Sequence, residues 1–310
     1  MKSRTETKSA TAASLDERMA VVAELVAVLV AMTEAQPRVL TIRDTATLPS
    51  GPLSAGHRSL QSGLRAWVEQ QTHHPLGYVE QLYTFADRDR SAVTSVHAIS
   101  ISYLGLTREA DPIGETVRDW QNWYDFFPWE DHRAGVPALV TQTIMPRLAA
   151  WADRDAARRQ RMAVTFSPDT WNEELVLQRY ELLFEAGLIP ENAIDGAKCL
   201  PGRPMMFDHR RILATAIARL RAKIKYRPVV FELMPPTFTL LQLQRCVEAV
   251  AGRTVHKQNF RRLIEQQSLV EETGESTQDT GGRPAKLFRF RRDVLAERAV
   301  TGTKLPLSRP

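Results

Sequence analysis

The stretch from Thr239 to Gln267 leaves this chain few choices of local structure. Thr239 and Gln242 stand three apart ahead of an apolar stripe, Leu240, Leu243, Val247 and Val250. That is the spacing of a capping box, in which a side-chain oxygen and a side-chain amide satisfy each other's free backbone donors at a helix start. Gly252 then stands where a left-handed residue would close the helix. A second, shorter helix is predicted from about His256 to Gln267, burying Phe260, Leu263 and Ile264. Its other face carries Lys257, Gln258, Arg261 and Arg262, and Asn259 lies near its start, where base edges are read. Two helices joined by a tight glycine-containing turn form a helix-turn-helix. The outward side chains are those a DNA major groove rewards, since Arg pairs with guanine and Asn or Gln with adenine. Leu269-Val270-Glu271, a polar loop to Gly282, and Ala285 to Arg291 follow. The last segment alternates Leu287, Arg289 and Arg291 with Phe288 and Phe290, as a half-buried strand does. Two strands around a loose loop make a wing, with Arg283 and Lys286 expected at its base, facing phosphates.

Charge enters the argument through its distribution. The net charge is +5. Residues 208–298 hold 18 Lys/Arg against 10 Asp/Glu, whereas the remainder holds 23 against 26. All the positive excess therefore sits in the third of the chain that carries the helix-turn-helix. This suggests a polyanion-binding module attached to a near-neutral one. A basic surface that is merely solvated would give the same count.

Upstream, residues 1–14 lack an apolar pattern and read as a disordered tail. A helix is predicted over about Leu15 to Glu34, ended by Gln36-Pro37, then a short strand at Val39–Ile42. Ser59 to Gln71 has helical periodicity, with Leu60, Leu64, Trp67 and Val68 on one face. Tyr78 to Phe85 and Val93 to Leu106 read as strands. Residues 116–185 read as mostly helical, and 190–204, with three prolines and two glycines, as a linker. A long helix, 208–225, repeats Ile212, Ala216 and Leu220, with Leu213 and Ile217 beside them. No apolar run reaches the ~18–20 residues that span a bilayer; the nearest, Met19 to Met32, contains Glu24. Acids at 16, 17 and 24 argue against a secretory signal, so a cytoplasmic protein is expected. Cys199 and Cys246 lack metal-ligand spacing and read as reduced thiols that pack. No metal site is expected.

Three motifs in register then resemble one family. These are Tyr226-Arg-Pro-Val-Val-Phe-Glu-Leu-Met-Pro-Pro-Thr-Phe-Thr-Leu-Leu-Gln-Leu-Gln244, Gln258-Asn-Phe-Arg-Arg262 and Gly282-Arg-Pro-Ala-Lys-Leu-Phe-Arg-Phe290. They resemble the winged helix of Nudix-related transcription regulators, which include the NAD-metabolism repressors NrtR and NadQ. Trp123-Tyr-Asp-Phe-Phe-Pro-Trp-Glu-Asp131 is closer to the NadQ type, and its aromatic density fits a buried core or dimer surface. The resemblance implies a Nudix domain upstream. A working Nudix box, G-x5-E-x7-R-E-U-x-E-E-x-G-U with U a bulky aliphatic, gathers carboxylates around Mg²⁺, a hard cation that needs several oxygen ligands. Laid on this chain from Gly51, the box puts His57 at the first Glu, Arg65 at the Arg and Ala66 at the next Glu. Trp67 takes the aliphatic position, Glu69 and Gln70 the last two acids, and Thr72 the final Gly. One carboxylate is a poor Mg²⁺ site, so loss of hydrolase chemistry is expected.

The expected fold is therefore α+β. A degenerate Nudix-like α/β/α sandwich with a helical insertion (15–204) precedes a winged helix-turn-helix (205–298) and a flexible tail (299–310). By the resemblance the chain is a homodimeric regulator of NAD-biosynthesis genes that binds double-stranded operator DNA. It would sense an adenine nucleotide (ATP, NAD or ADP-ribose), with Arg43, Arg65, Glu69, Arg88 and Arg90 as candidate effector contacts. The rival expectation is a Nudix-type diphosphohydrolase with an atypical metal site.

Overall fold

The computed structural model describes residues 21–42, 46–73, 76–86, 97–109, 118–169, 171–193, 198–278 and 284–291. Arg43, Arg88, Arg90, Arg283 and both tails lie outside them.

The first element corrects the sequence expectation. The apolar run ahead of Gln36 is not a helix but a strand, β1 (Val21–Thr33). It pairs in parallel with β5 (His97–Leu106) and antiparallel with β2 (Gln36–Ile42) and β3 (Ser50–Pro52). Leu25 to Ala31 are at most 1% exposed. A strand covered on both faces needs no polar alternation, so its sequence shows a continuous apolar run that periodicity cannot tell from a buried helix. With β4 (Tyr78–Phe85) and β6 (Arg118–Asn122), the main path of the sheet is β4-β5-β1-β2-β6. β6 lies inside the stretch expected to be helical, and β2 begins three residues before the expected strand.

The pleat of β1 sorts its side chains between two layers. Leu25, Ala27, Leu29 and Ala31 face helix α1 (Leu60–Thr72), packing with Leu64 and Val68. Val26, Val28 and Val30 join the larger core on the other side. That side is covered by α5 (His209–Lys223), whose predicted stripe of Ile212, Leu213, Ala216, Ile217 and Leu220 is fully buried. Helices α2 (Met145–Trp151), α3 (Ala156–Phe166) and α4 (Val176–Glu185) extend this layer. Helix, sheet and helix thus form a three-layer sandwich, and its second helical layer includes α5, beyond residue 204 where the sandwich was expected to end.

The expected linker is not loose where it is described. Leu200 is buried, its N–H donates to Leu188 O at 2.8 Å, and Arg210 reaches back to Glu191 at 3.0 Å. The aromatic segment after β6 is core: Trp123, Phe126, Phe127 and Trp129 are all fully buried. Beyond α5 come α6 (Leu240–Ala251), α7 (Lys257–Gln266) and the strand pair β7 (Val270–Thr277) and β8 (Ala285–Phe290). Among the described residues no helix is long and apolar enough to cross a membrane. Neither cysteine is bonded; Cys246 is buried, which raises its thiol pKa to about 12.

Candidate nucleic-acid interface

Helix α6 starts as the spacing requires. Thr239 Oγ1 accepts from Gln242 N at 3.2 Å, and the Gln242 side chain accepts from Thr239 N at 2.7 Å. It ends at Gly252, in the left-handed conformation at φ 70°. Phe260 and Ile264 anchor α7 in the core, with Leu263 half-buried. Lys257, Gln258, Asn259, Arg261 and Arg262 are all exposed, and no side-chain hydrogen bond or ion pair engages them among the described residues. Such a face has its donors and acceptors available for a ligand. The wing is joined to the body by Phe238, which exchanges backbone hydrogen bonds with Phe288 at 2.9 and 2.8 Å. Phe290 stacks on Phe231 with ring centroids 4.3 Å apart. Lys286 is exposed, and its ammonium is held by both oxygens of Glu272 on the facing strand, at 2.9 Å each. Arg289 pairs likewise with Glu271 at 2.6 Å.

The charge distribution needs a larger correction. Many cations of the basic third do not face solvent but meet acids from the first two thirds. Arg211 pairs with Glu181, Lys223 with Glu80, Lys225 with Glu173 and Glu174, and Arg253 with Glu173. At the centre is Glu130, 1% exposed. Arg179 grips its carboxylate with two bonds of 2.6 and 2.8 Å, and Arg221 adds a third at 2.7 Å. Burial by itself raises the pKa of this carboxyl, but the two guanidiniums outweigh it and hold it below the usual carboxylate range. Arg221 also donates to Val250 O at 2.9 Å and to Glu173 O at 3.1 Å. Tyr124 donates to Ala249 O at 2.7 Å, and His132 N to Gly252 O at 2.7 Å. The carbonyl end of α6, and with it the turn into α7, is thus held by the segment 124–132. A Cβ on Gly252 would come within 2.4 Å of Glu130 O, so this position requires glycine for close approach as well as for φ.

Sequence reading missed this seam. Its one signal lay in α5, where Arg210, Leu213, Ile217 and Arg221 fall on a single helical stripe. A charged residue on an apolar stripe implies a buried partner. Glu130 and Arg179, far apart in sequence, left no signal to find that partner.

On the opposite face of the sheet, the segment laid out as a Nudix box is folded as a loop and helix. Gly51 lies beneath the Trp67 indole, where a Cβ would come within 2.3 Å of the ring. The indole N–H donates to Pro52 O at 3.0 Å, and the Gln71 side chain clasps Ser50 N and O at 3.1 and 2.7 Å. His57, at the first Glu position, accepts from Ser54 N at 3.2 Å and packs edge-on to Trp67. Arg65 donates to the carbonyls of Leu76 and Gly77, so its guanidinium is already engaged in holding the chain after α1. Glu69 and Gln70 are exposed. Among the described residues no group of three or more His, Cys, Asp or Glu could hold a metal ion.

The architecture defines a class: a Nudix-like sandwich carrying a winged helix. Residues 230–290 match the family model of the NrtR DNA-binding winged helix domain, and this part of the chain folds as a winged helix. The ADPR responsive transcriptional repressor of Acinetobacter baylyi is 43% identical over 86 residues, 28% of this chain and 34% of that repressor. The match thus spans about a third of the curated relative's length. The crystal structure of Shewanella oneidensis NrtR complexed with a 27mer DNA superposes with a TM-score of 0.54 at 20% identity, covering 88% of this chain and 95% of that one. A MutT/nudix family protein from Enterococcus faecalis gives 0.53 at 16%, covering 94% and 90%. At these identities the two structures show the shared fold.

Proposed function

We propose that this protein is a transcription regulator, a repressor of NAD-biosynthesis genes. It reads operator DNA through α7 and the wing and responds to an adenine nucleotide bound by the Nudix-like part. One observation carries the reading. In a segment matching a DNA-binding winged helix, α7 presents Lys257, Gln258, Asn259, Arg261 and Arg262 outward, and among the described residues no side-chain hydrogen bond or ion pair engages them. We divide the chain into a sensing part, 15–204, and a reading part, 205–298, whose first helix, α5, packs into the sandwich of the sensing part. A homodimer is part of the proposal, because two half-sites on one duplex multiply affinity. ADP-ribose is the first nucleotide to test, given the name of the Acinetobacter relative; ATP and NAD follow. We further infer that the box has lost hydrolase chemistry, since Glu69 is its one remaining carboxylate and His57 is committed to the Ser54 backbone.

The test is fluorescence anisotropy of the full chain on duplexes selected from a random pool, with and without each nucleotide. Selective binding that one nucleotide shifts is expected. Equal affinity for selected and scrambled duplexes overturns the reading. With Mg²⁺ or Mn²⁺ and ADP-ribose, release of AMP at ~1 s⁻¹ or faster, lost in Glu69→Gln, would overturn the non-catalytic reading.

A further inference from the structure

Helix α5 touches both halves of the proposed machine. At its first residue, His209 Nδ1 accepts the backbone N–H of Leu48 at 3.0 Å. Leu48 opens the segment that runs through Ser50, Gly51 and Pro52, which Gln71 and Trp67 bind to α1. The box loop and α1 therefore move as one piece, and His209 attaches that piece to α5. The attachment is fully buried, and no acid or cation among the described residues is paired with the ring. Among the described residues its buried Nε2 has no hydrogen-bond partner, so the ring's one hydrogen bond there is the one to Leu48. Twelve residues later, about 18 Å along a helix, Arg221 binds Glu130 and Val250 O at the end of α6. Between the two contacts α5 contains no glycine or proline, and its buried stripe lies on the sheet. A continuous, packed helix with one end tied to each part transmits displacement instead of absorbing it.

We propose that α5 is the coupling element of this protein, with His209 the positioning residue at its sensing end and Arg221 the one at its reading end. A nucleotide that shifts the box loop moves Leu48. His209 carries that shift into α5, and Arg221 delivers it to the turn that aims α7. The proposal rests on the reading above that this is a nucleotide-responsive DNA binder.

The full chain is titrated on a selected duplex with and without ADP-ribose, ATP or NAD, using whichever shifts the wild type. His209→Leu removes the acceptor, whereas His209→Asn keeps an oxygen close to the Nδ1 position. In His209→Leu the nucleotide should change DNA affinity by about twofold or less, while calorimetry shows nucleotide still bound and DNA affinity without nucleotide stays near wild type. His209→Asn should restore the response. A structural role alone would lower Tm in His209→Leu yet leave the response ratio intact, and that result overturns the proposal. If His209→Leu does not fold, His209→Met takes its place under the same criteria. Should no nucleotide shift the wild type, the regulatory reading has failed. Hydrogen exchange then decides the linkage separately: faster exchange at the amides of 252–259 in His209→Leu supports it, and unchanged exchange overturns it.

Discussion

The last third of the chain has two basic faces, and they have opposite fates. On one, Arg211, Arg221, Lys223, Lys225 and Arg253 meet Glu181, Glu130, Glu80 and Glu173 from the preceding two thirds. On the other, Lys257, Arg261 and Arg262 meet nothing among the described residues. Both were counted alike in the positive excess of residues 208–298. The first face spends its charge on acids of the preceding two thirds, and only the second is available to a polyanion. The count of cations in a segment therefore overstates the number of phosphates it can neutralise, and with it the salt dependence expected of binding.

The sharpest way to break this comparison is to neutralise Glu130. Removing one partner of a buried ion pair leaves the other uncompensated, at a cost of ~3–5 kcal/mol. Here two guanidiniums, Arg179 and Arg221, both with fully buried side chains, lose their shared acceptor. Glu130→Gln should lower unfolding stability by about that amount in urea titrations. Lys257→Ala and Arg262→Ala, on an exposed face, should stay within about 0.5 kcal/mol of wild type. If Glu130→Gln is as mild as the α7 variants, the seam is not desolvated and the two faces do not differ in kind.

His209 gives the next effect through pH. Burial pushes its pKa down from 6.5 to about 4. The unfolded chain therefore binds a proton between those values while the native state does not, so stability is full above pH 6.5 and falls as pH drops toward 4. A shift of this size corresponds to roughly 3 kcal/mol across the window. His209→Asn should flatten that limb of the stability profile, whereas any α7 variant should leave it unchanged. A profile identical in His209→Asn and wild type would remove His209 as the buried group responsible.

Reading DNA is the property expected of the second face. Arg261→Ala or Asn259→Ala should reduce affinity for a selected duplex by ~1–3 kcal/mol, and by less for a scrambled one, if the residue contacts a base edge. Neither should move the urea midpoint. Equal losses on both duplexes would reassign the residue to the phosphate backbone.

The helix-turn-helix was legible in the sequence because its information is local. A capping pair, a stripe and a terminal glycine determine α6 within 14 residues. The Nudix-like frame is legible in part: the loop at Gly51 and helix α1 follow the order of the box, yet the sequence of β1 reads as a helix, since a doubly covered strand has no alternation to show. The seam is non-local. Glu130, Arg179 and Arg221 are brought together by the packing of α4 and α5 beneath the segment after β6, and no pattern along the chain encodes which acid meets which cation. The same holds for His209, whose partner is a backbone N–H on a loop 161 positions away.

The smallest expected effect concerns a residue that belongs to neither face cleanly. Lys286 is 69% exposed, as a phosphate contact requires, yet its ammonium sits on Glu272, itself 51% exposed. An exposed pair of this kind contributes ~0–1 kcal/mol to stability, so Lys286→Ala should leave the urea midpoint almost unmoved. On DNA the lysine must exchange Glu272 for a phosphate, and the repulsion between Glu272 and the backbone offsets part of the gain. An unencumbered cation contributes about −0.9 to the slope of log K against log salt. Lys286→Ala should make the slope shallower by less than that. The informative variant is Glu272→Gln, which frees the ammonium without touching it. It should strengthen binding to selected and scrambled duplexes alike and steepen the slope, and the gain should vanish when Lys286→Ala is added. If Glu272→Gln instead leaves both affinity and slope unchanged, the wing strands do not approach the phosphates, and the available basic face ends at α7.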